Sequence, residues 1–262
     1  MRGLIKSEVR YPRLWTPCVS AWCPSVDRSR GTSLTDFSPY RNHGTLTNMA
    51  SPGTNWVPSN GKMALEFDGV DDSVDIAKSI VPTGSAAKTI SLWARSTTTI
   101  STRQWLIYAG SETAYGRFCL EIESSKLNLN YFTLGAVHSQ TLVNNTWYHF
   151  AVTYSEGATS VILYVNGVGE TISIFSGQQL NTGATATTRL GVFTTTLFPF
   201  AGQMDDIRIY NKALVPSGIA TLALRRGIAY ETVRNRHVKK APVGGTFKAA
   251  WARKPAQIIG GR

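Results

Sequence analysis

The run at residues 198–214, FPFAGQMDDIRIYNKAL, constrains the fold of this chain more than any other stretch. Its second half, at residues 206–210, alternates polar and apolar side chains, which is typical of a β-strand with one buried face. A Val-Pro-Ser sequence at residues 215–217 follows and predicts the start of a short helix. The apolar positions of that helix are Ile219, Leu222 and Leu224. We expect earlier parts of the chain to supply the strands that pack with this one.

The sequence before residue 198 divides into short runs of strand character at roughly ten-residue spacing. Charged residues make up only 16% of the chain, which suits short strands and turns better than amphipathic helices. Asp68-Gly69 and Asn166-Gly167 favour tight turns between strands. These features predict an all-β sandwich of two antiparallel sheets. The predicted strands are 16–24, 88–95, 104–109, 117–123, 126–133, 147–154, 160–165, 170–175 and 189–193.

Four separated segments of the sequence carry recognisable motifs. They are 36–46 (DFSPYRNHGTL), 64–74 (ALEFDGVDDSV), 147–154 (WYHFAVTY) and 198–214. Together they resemble one family, the laminin-G-like, concanavalin-A-like jelly-roll domains. In the first segment, Pro39-Tyr40-Arg41 replaces the family's usual Gly-Asn-Gly, so the tip of that loop is altered. The resemblance implies a jelly-roll sandwich over residues 16–224. This fold serves lectins, adhesins, enzymes and structural proteins, so the resemblance alone selects no function.

The positive charge of the chain, +11 overall, is concentrated at its two ends. The first 30 residues hold six Lys and Arg against two acidic residues, and residues 225–262 hold ten against Glu231 alone. The stretch between them is close to neutral. Such asymmetry is typical of interaction arms. We therefore expect an extended arm at residues 1–15 and a basic arm at residues 225–262.

The first ten residues, MRGLIKSEVR, are too charged to contain the apolar segment of a secretory signal peptide. The sequence also has no run of eighteen apolar residues that would predict a membrane span. Cys18, Cys23 and Cys119 are an odd number, which argues against a disulfide framework. We therefore expect all three cysteines to be free thiols. We also expect the protein to have no membrane partner and, if it is a virion protein, to be made in the cytoplasm of the host cell.

Glu121-Ile122-Glu123 is the sharpest indication of an enzyme. Glycosidases of this fold carry catalytic carboxylates on one strand in an E-x-D-x-E pattern. Alternate residues of a strand share a face at about 6–7 Å, close to the separation that retaining hydrolysis requires. Here Ser124 and Ser125 follow, so the third acid is missing, and two glutamates on the solvent side of a strand need no catalytic role. The sequence predicts a protein that is not an enzyme.

A calcium site is implied by the resemblance, because many concanavalin-A-like domains bind Ca²⁺. The positions that carry over are Asp36 in the first loop and Asp206 in the closing strand. A second acidic cluster is formed by Asp68, Asp71 and Asp72. The alternative to a metal site in that cluster is that Asp68 caps a turn and that Asp71 and Asp72 are exposed charges in a loop.

Glycan binding requires aromatic side chains as stacking platforms, with polar groups around them. Five aromatic residues are candidates, and the alternative for each is packing in the core. They are Trp105, Tyr108, Tyr115, Tyr131 and Tyr148.

The basic arm at residues 225–262 predicts a partner-binding segment, with aromatic anchors between its cations. The leading hypothesis is a non-enzymatic bacteriophage virion protein, a capsid decoration or fibre-like surface subunit that docks on other virion proteins and is oligomeric. The alternative is a carbohydrate-binding lectin-like module or adhesin that recognises surface polysaccharide. Nucleic-acid binding is less favoured than either. The predicted partner-binding residues are Arg225, Arg226, Tyr230, Arg234, Arg236, Lys239, Lys240, Phe247, Lys248, Trp251, Arg253 and Lys254.

Overall fold

The computed structural model of the chain describes residues 10–49, 54–98, 100–132, 135–185, 187–193 and 197–231. These residues form two antiparallel sheets, which confirms the predicted all-β jelly-roll sandwich. Within the described residues, no helix has the length and apolar character to span a bilayer.

Sixteen strands and two α-helices are described. The helices are α1 (Pro12–Trp15) and α2 (Pro216–Ala223), and 3₁₀ turns lie at Phe175–Gly177 and Ile228–Tyr230. The strands are β1 (Cys18–Trp22), β2 (Ser33–Leu34), β3 (Gly44–Thr47), β4 (Trp56–Ser59), β5 (Lys62–Asp68), β6 (Ser73–Ile76), β7 (Lys88–Ser96), β8 (Gln104–Tyr108), β9 (Cys119–Glu123), β10 (Lys126–Asn130), β11 (Gly135–Val137), β12 (Tyr148–Tyr154), β13 (Ser160–Val165), β14 (Val168–Ser173), β15 (Thr188–Leu190) and β16 (Ala201–Tyr210).

The two sheets enclose one apolar core. The first sheet has the spatial order β14-β13-β12-β7-β16-β5-β4, with β1 also paired to β16. The second sheet has the order β11-β10-β9-β8-β15-β6-β3-β2. Leu92 and Phe150 from the first sheet and Leu120 and Leu129 from the second belong to the same buried cluster. Because successive strand residues point to opposite faces, their neighbours in sequence lie on the two outer surfaces.

Strand β16 lies inside the first sheet and pairs with three strands. β7 runs along one side, while residues 201–204 pair with β5 and residues 207–210 pair with β1 on the other side. A β-bulge between Asp205 and Arg208 separates these two regions, and Asp206 adopts a left-handed φ of 48° there. A bulge places one extra residue in the strand and re-aims the side chains next to it. Both Asp205 and Asp206 are buried as a result.

The outer surface of the first sheet is covered by the two ends of the described chain. Helices α1 and α2 and the turn at Ile228–Tyr230 contribute to a second apolar cluster on this surface. Burial on both surfaces explains why all ten residues of β16 are inaccessible to solvent. The buried members of this cluster are Leu14, Trp15, Cys18, Ala21, Ala151, Tyr164, Tyr210, Leu214, Ile219, Leu222 and Ala229.

This packing corrects the predicted domain limits of 16 and 224. Residues 12–15 are a helical turn, not an extended arm, and Pro12 begins it because its fixed φ suits a first helical position. Leu14 and Trp15 are buried, as are Ile228 and Ala229 at the other end. The body of the domain therefore includes residues 11–15 and 225–230. The expectations for residues 1–9 and 232–262 lie outside the described residues.

A buried cation holds the two ends of the described chain together. The guanidinium of Arg208 lies 4.6 Å from the ring centre of Trp15 and 4.5 Å from that of Tyr230. Its Nε donates a hydrogen bond of 2.8 Å to Asp206 Oδ1. Trp15 Nε1 donates a 3.0 Å hydrogen bond to the carbonyl of Ala229. Cation–π contacts are strongest when they are desolvated, as here.

The residues just before Tyr230 complete this arrangement. Arg226 is buried, with its guanidinium 4.2 Å from the ring centre of Trp147 and 3.9 Å from Asp205 Oδ2. It also donates a hydrogen bond to the carbonyl of Ser59. The backbone N–H of Gly227 donates to Asp206 Oδ2 at 2.9 Å. Ser25 also donates to Asp205 and Arg208 to Asp206, so residues 226 and 227 complete the pairing of the two buried carboxylates.

We expect truncation after Leu224 to destabilise the domain and truncation after Glu231 to leave it stable. The shorter chain loses Arg226, the Gly227 N–H and the Ala229 carbonyl, which leaves two buried carboxylates partly unpaired. Breaking a buried ion pair in this way costs about 3–5 kcal/mol. Urea unfolding of the two truncated chains measures the difference. Equal free energies of unfolding for both would show that residues 225–231 contribute nothing to the domain.

Candidate functional site

The second sheet has an outer surface over which no α-helix of the described residues packs. Strands β8, β9, β10, β15 and β6 present alternate side chains on it, because Leu106, Leu120, Leu129, Leu190 and Val74 fill the opposite, core side. We call this surface the outer face. Its strand residues are Asp75, Trp105, Tyr108, Cys119, Glu121, Glu123, Asn128, Asn130 and Arg189.

Aromatic side chains occupy the middle of the outer face. Trp105 and Phe193 are stacked with ring centres 5.4 Å apart, and Tyr108 meets Phe193 edge-on at 4.8 Å. Trp105 and Tyr108 are buried, whereas Phe193 is half-buried and covers them. The indole N–H of Trp105 has no hydrogen-bond partner. The face therefore offers an aromatic surface with an unused donor beneath it.

Arg117 lies over this aromatic group. Its guanidinium is 4.8 Å from the ring centre of Phe193 and 5.1 Å from that of Phe132. It pairs with Glu112 through a 3.1 Å hydrogen bond from Nε, and it donates to Asn130 Oδ1 at 3.3 Å. Phe132 has a φ of 121°, a strained value for a residue with a side chain. Strained residues of this kind are concentrated at binding sites.

Two further ion pairs flank the aromatic group. Arg103 makes two hydrogen bonds to Glu123, of 3.1 and 2.9 Å. On the other side, Arg189 Nε donates to Asp75 Oδ1 at 3.0 Å. Together with the Arg117 pair, these contacts match each arginine of the face with a carboxylate.

Glu121 is the buried acid of the outer face. It lies on the predicted outer side of its strand, but its side chain is only 3% exposed, so the expectation that it is accessible to solvent is wrong. Asn130 Nδ2 donates to Oε1 at 3.4 Å, while Oε2 has no hydrogen bond and lies 3.6 Å from Arg103 Nε. Burial raises the pKa of Glu121 to about 7, against the opposing effect of Arg103. The side chain therefore exchanges a proton near neutral pH.

The sequence matches the family model of the concanavalin A-like lectin/glucanases superfamily over residues 68–220, which is more than half of the chain. The chain belongs to this superfamily. No curated protein matches it by sequence.

Solved structures with the same fold include bacterial toxin domains and a domain of a polysaccharide-degrading enzyme. The binding domain of botulinum neurotoxin serotype D is 13% identical, with a TM-score of 0.60 over 80% of this chain and 52% of that one. The binding domain of paraclostridial mosquitocidal protein 1 is 15% identical, with a TM-score of 0.62 over 80% and 52%. Domain 4 of AbnA, a GH43 extracellular arabinanase from Geobacillus stearothermophilus, is 19% identical, with a TM-score of 0.55 over 79% and 98%.

At these identities the likeness shows the fold. The chain spans about half the length of the two toxin domains and nearly the whole of the arabinanase domain.

Of the five aromatic residues that the sequence suggested, two lie on the outer face of this superfamily domain. They are Trp105 and Tyr108, whereas Tyr131 and Tyr148 belong to the core. Tyr115 stacks on Tyr131 with ring centres 5.9 Å apart and packs against the core as well. Sequence reasoning missed Phe193 and Arg117, which lie outside regular strands, where residue parity gives no signal.

The implied calcium ligands do not fit a metal. Asp36 accepts four hydrogen bonds of 2.7–2.8 Å, from the backbone N–H groups of Ala21, Ser38 and Asn42 and from the Ser38 hydroxyl. Asp206 is occupied by Arg208 and the Gly227 N–H. Every oxygen of both carboxylates thus has a protein donor. The resemblance implied that Asp36 and Asp206 bind calcium, but in this structure Asp36 stabilises a loop and Asp206 stabilises the bulge of β16.

The predicted partner-binding residues divide into three groups. Arg225 is exposed and pairs with Glu231. Arg226 is buried and Tyr230 is packed against Arg208, so their assignment to partner binding is corrected. The remaining nine lie outside the described residues: Arg234, Arg236, Lys239, Lys240, Phe247, Lys248, Trp251, Arg253 and Lys254.

The three cysteines are free and buried, as predicted. Burial raises the pKa of Cys18 to about 12 and also raises that of Cys119. A thiol that stays protonated at neutral pH is a poor nucleophile. Cys119 lies on the outer face and therefore contributes packing there.

We expect Glu121→Gln to be more stable than the wild-type protein above pH 7 and equally stable below pH 4.5. The folded-state pKa is raised, so the wild-type protein loses stability as pH rises through 7, whereas glutamine has no charge to bury. The difference approaches ~3 kcal/mol at most. Urea unfolding at pH 4 and pH 8 measures it, with Glu156→Gln on an exposed loop as the control. A difference that does not change with pH would contradict the burial of an ionisable Glu121.

Proposed function

We propose that this domain is a carbohydrate-binding, lectin-like module, and that its ligand contacts the outer face. One observation carries the proposal. Two polar atoms of the face are buried without a hydrogen bond. Trp105 Nε1 belongs to a ring that stacks on the half-buried Phe193, and Glu121 Oε2 has only an ion-pair contact of 3.6 Å with Arg103 Nε. Unused polar atoms beneath an aromatic surface are typical of a site that is completed by a ligand.

The side chains of the face suit sugar chemistry. The apolar side of a sugar ring stacks on an aromatic side chain, which Phe193 and the exposed Phe198 supply. Arg103 lies 5.3 Å from the ring centre of Phe198, so a donor for sugar hydroxyls lies beside a stacking surface. Specific glycan sites combine these two kinds of group.

Two related structures support the proposal. The arabinanase domain was solved in complex with arabinotriose. The botulinum neurotoxin serotype D ligand-binding domain, at 14% identity and a TM-score of 0.59, was solved in complex with N-acetylneuraminic acid. The fold is thus used for glycan binding in proteins of different kinds.

We infer that the ligand is an uncharged glycan. Each of the three arginines on the face is paired with a carboxylate: Arg103 with Glu123, Arg117 with Glu112 and Arg189 with Asp75. A site for an acidic sugar is expected to offer an unpaired cation, whereas each guanidinium of this face already donates to a carboxylate. The face instead offers a balanced set of donors and acceptors.

We propose binding without hydrolysis. A retaining glycosidase needs two accessible carboxylates on either side of the bond. Glu121 is nearly inaccessible, and Glu123 is held by two hydrogen bonds from Arg103. The inaccessibility of Glu121 and the hydrogen bonds that hold Glu123 both favour a role for these two glutamates in glycan recognition over one in hydrolysis.

We expect the full chain to bind neutral oligosaccharides on a glycan array. Phe198→Ala and Phe193→Ala should each weaken that binding at least ~10-fold, by analogy with nucleobases, whose stacking on one aromatic side chain contributes about 1–3 kcal/mol. The matched control is Tyr40→Ala, because Tyr40 is 58% exposed, like Phe198 at 44%, but lies elsewhere. Calorimetry with the best array ligand measures each affinity. The proposal would be contradicted if the array showed no reproducible ligand, or if Tyr40→Ala weakened glycan binding as much as the two phenylalanine substitutions.

A second candidate is the virion subunit that docks through a basic arm. The observation that favours it is the concentration of ten Lys and Arg at residues 225–262, next to a nearly neutral sandwich. A glycan-binding domain that is attached to a particle by a basic segment combines both roles. Oligomeric assembly and location in a virion belong to this proposal.

We expect a chain that ends at Glu231 to keep glycan binding and to fail to join its assembly. The truncation removes nine of the twelve residues predicted to bind a partner and keeps every described contact of the domain. Co-sedimentation with assembled particles compares the truncated chain with the full chain. Normal incorporation of the truncated chain would assign the basic segment another role.

A further inference from the structure

The turn between β5 and β6 brings three carboxylates together. One oxygen from each of Asp68, Asp71 and Asp72 lies within 4.8 Å of one from each of the others. Asp68 is exposed, Asp71 is half-buried and Asp72 is buried, so the group reaches from the surface into the domain. The turn leads directly into β6, and its three carboxylates belong neither to the outer-face residues nor to the implied calcium residues nor to the basic ends.

Ordinary turn chemistry accounts for only part of this group. Asp68 Oδ1 accepts a 2.8 Å hydrogen bond from the N–H of Val70, as a turn-forming aspartate does. Asp72 Oδ2 accepts from the N–H of Asp68 at 3.0 Å and from Asn55 Nδ2 at 3.1 Å. These bonds hold the turn in place and fix the direction of the Asp72 carboxylate.

The hydrogen bonds of the turn leave the second carboxylate oxygen of Asp72 without a donor. Asp72 is only 2% exposed, and its Oδ1 has no hydrogen-bond partner. A buried carboxylate oxygen without a donor is costly, and other negative groups nearby add to that cost. A cation at this point would remove both costs.

We propose that the turn formed by Asp68, Asp71 and Asp72 binds Ca²⁺. Calcium takes oxygen ligands at 2.3–2.6 Å, so oxygens on opposite sides of the ion are about 5 Å apart. The three carboxylates fall within that span. Waters would complete the six to eight ligands that calcium prefers. The oxygen-only donor set excludes the metals that select imidazole or thiolate.

The turn packs against the segment that carries the aromatic groups of the outer face. A Cβ on Gly69 would lie 2.5 Å from Ala201 Cβ, so the turn is in direct contact with the start of β16. A Cβ on Gly191 would lie 3.0 Å from the carbonyl of Asp72. Gly191 and Ala201 bracket the segment with Phe193 and Phe198. The proposed calcium site rests on the carboxylates of the turn and does not depend on the proposed glycan binding.

Calorimetric titration of the EDTA-treated full chain with Ca²⁺, and separately with Mg²⁺, tests the proposal. We expect one Ca²⁺ per chain, tighter than Mg²⁺, and an at least ~10-fold loss of Ca²⁺ affinity in Asp72→Asn and in Asp71→Asn. Glu156→Gln removes an exposed acid elsewhere and is the matched control.

A thermal melt separates loss of the ion from loss of the fold. Calcium should raise the Tm of the wild-type protein and of Glu156→Gln, but not that of Asp72→Asn, whose Tm without calcium should equal or exceed that of the wild-type protein. No binding by the wild-type protein at millimolar Ca²⁺, a preference for Mg²⁺, or unchanged affinity in both aspartate variants would overturn the site. Asp71→Asn decides the question if Asp72→Asn does not fold.

Discussion

The bulge at Asp205 and Asp206 is the constraint on which the rest of this domain depends. It places two carboxylates inside β16, where each needs a cation or an N–H group. The chain supplies them from residues far away in sequence, namely Arg226 and the Gly227 N–H, and from Arg208 on the same strand. The position of residues 225–230 is therefore determined by charge compensation as much as by apolar packing.

The need to pair Asp205 and Asp206 also determines which outer surface of the sandwich is covered by the ends of the described chain. Both ends of the described chain are drawn to the outer side of the first sheet, where Trp15 and Tyr230 enclose Arg208. The outer face of the second sheet has no such cover from the α-helices of the described residues. It carries ion pairs around a small cluster of Trp105, Tyr108, Cys119 and Phe193. The division of the two surfaces follows from where the buried charges of β16 find their partners.

The sequence predicted the strands well because period-two alternation and Asn-Gly or Asp-Gly turns are local signals. It could not predict the burial of Arg226 beside an exposed Arg225, since a charge count treats neighbouring arginines alike. Glu121 was placed on the correct face of β9, but its depth depends on Asn130, Arg103 and loops from elsewhere in the chain. Phe193 and Arg117 were missed because no periodicity governs residues outside strands. Local sequence patterns were thus enough to predict the strands, whereas the candidate site depends on contacts between residues that are distant in sequence.

The buried carboxylates themselves show where a ligand is needed. Six acidic side chains are buried in the described residues, and Asp27, Asp36, Asp205 and Asp206 have a hydrogen bond to each buried oxygen or an arginine beside it. Only Asp72 and Glu121 keep an oxygen without a hydrogen bond. Arg103 Nε lies 3.6 Å from that oxygen of Glu121, so among the six buried carboxylates of the described residues only Asp72 keeps an oxygen with neither a hydrogen bond nor an arginine beside it. A ligand at Asp72 would lower the cost of burying that oxygen. Asp36 and Asp206, the positions where the resemblance implied calcium, instead have a protein donor on every carboxylate oxygen. Arg208 supplies, within the protein, the positive charge that a metal would have brought to Asp206.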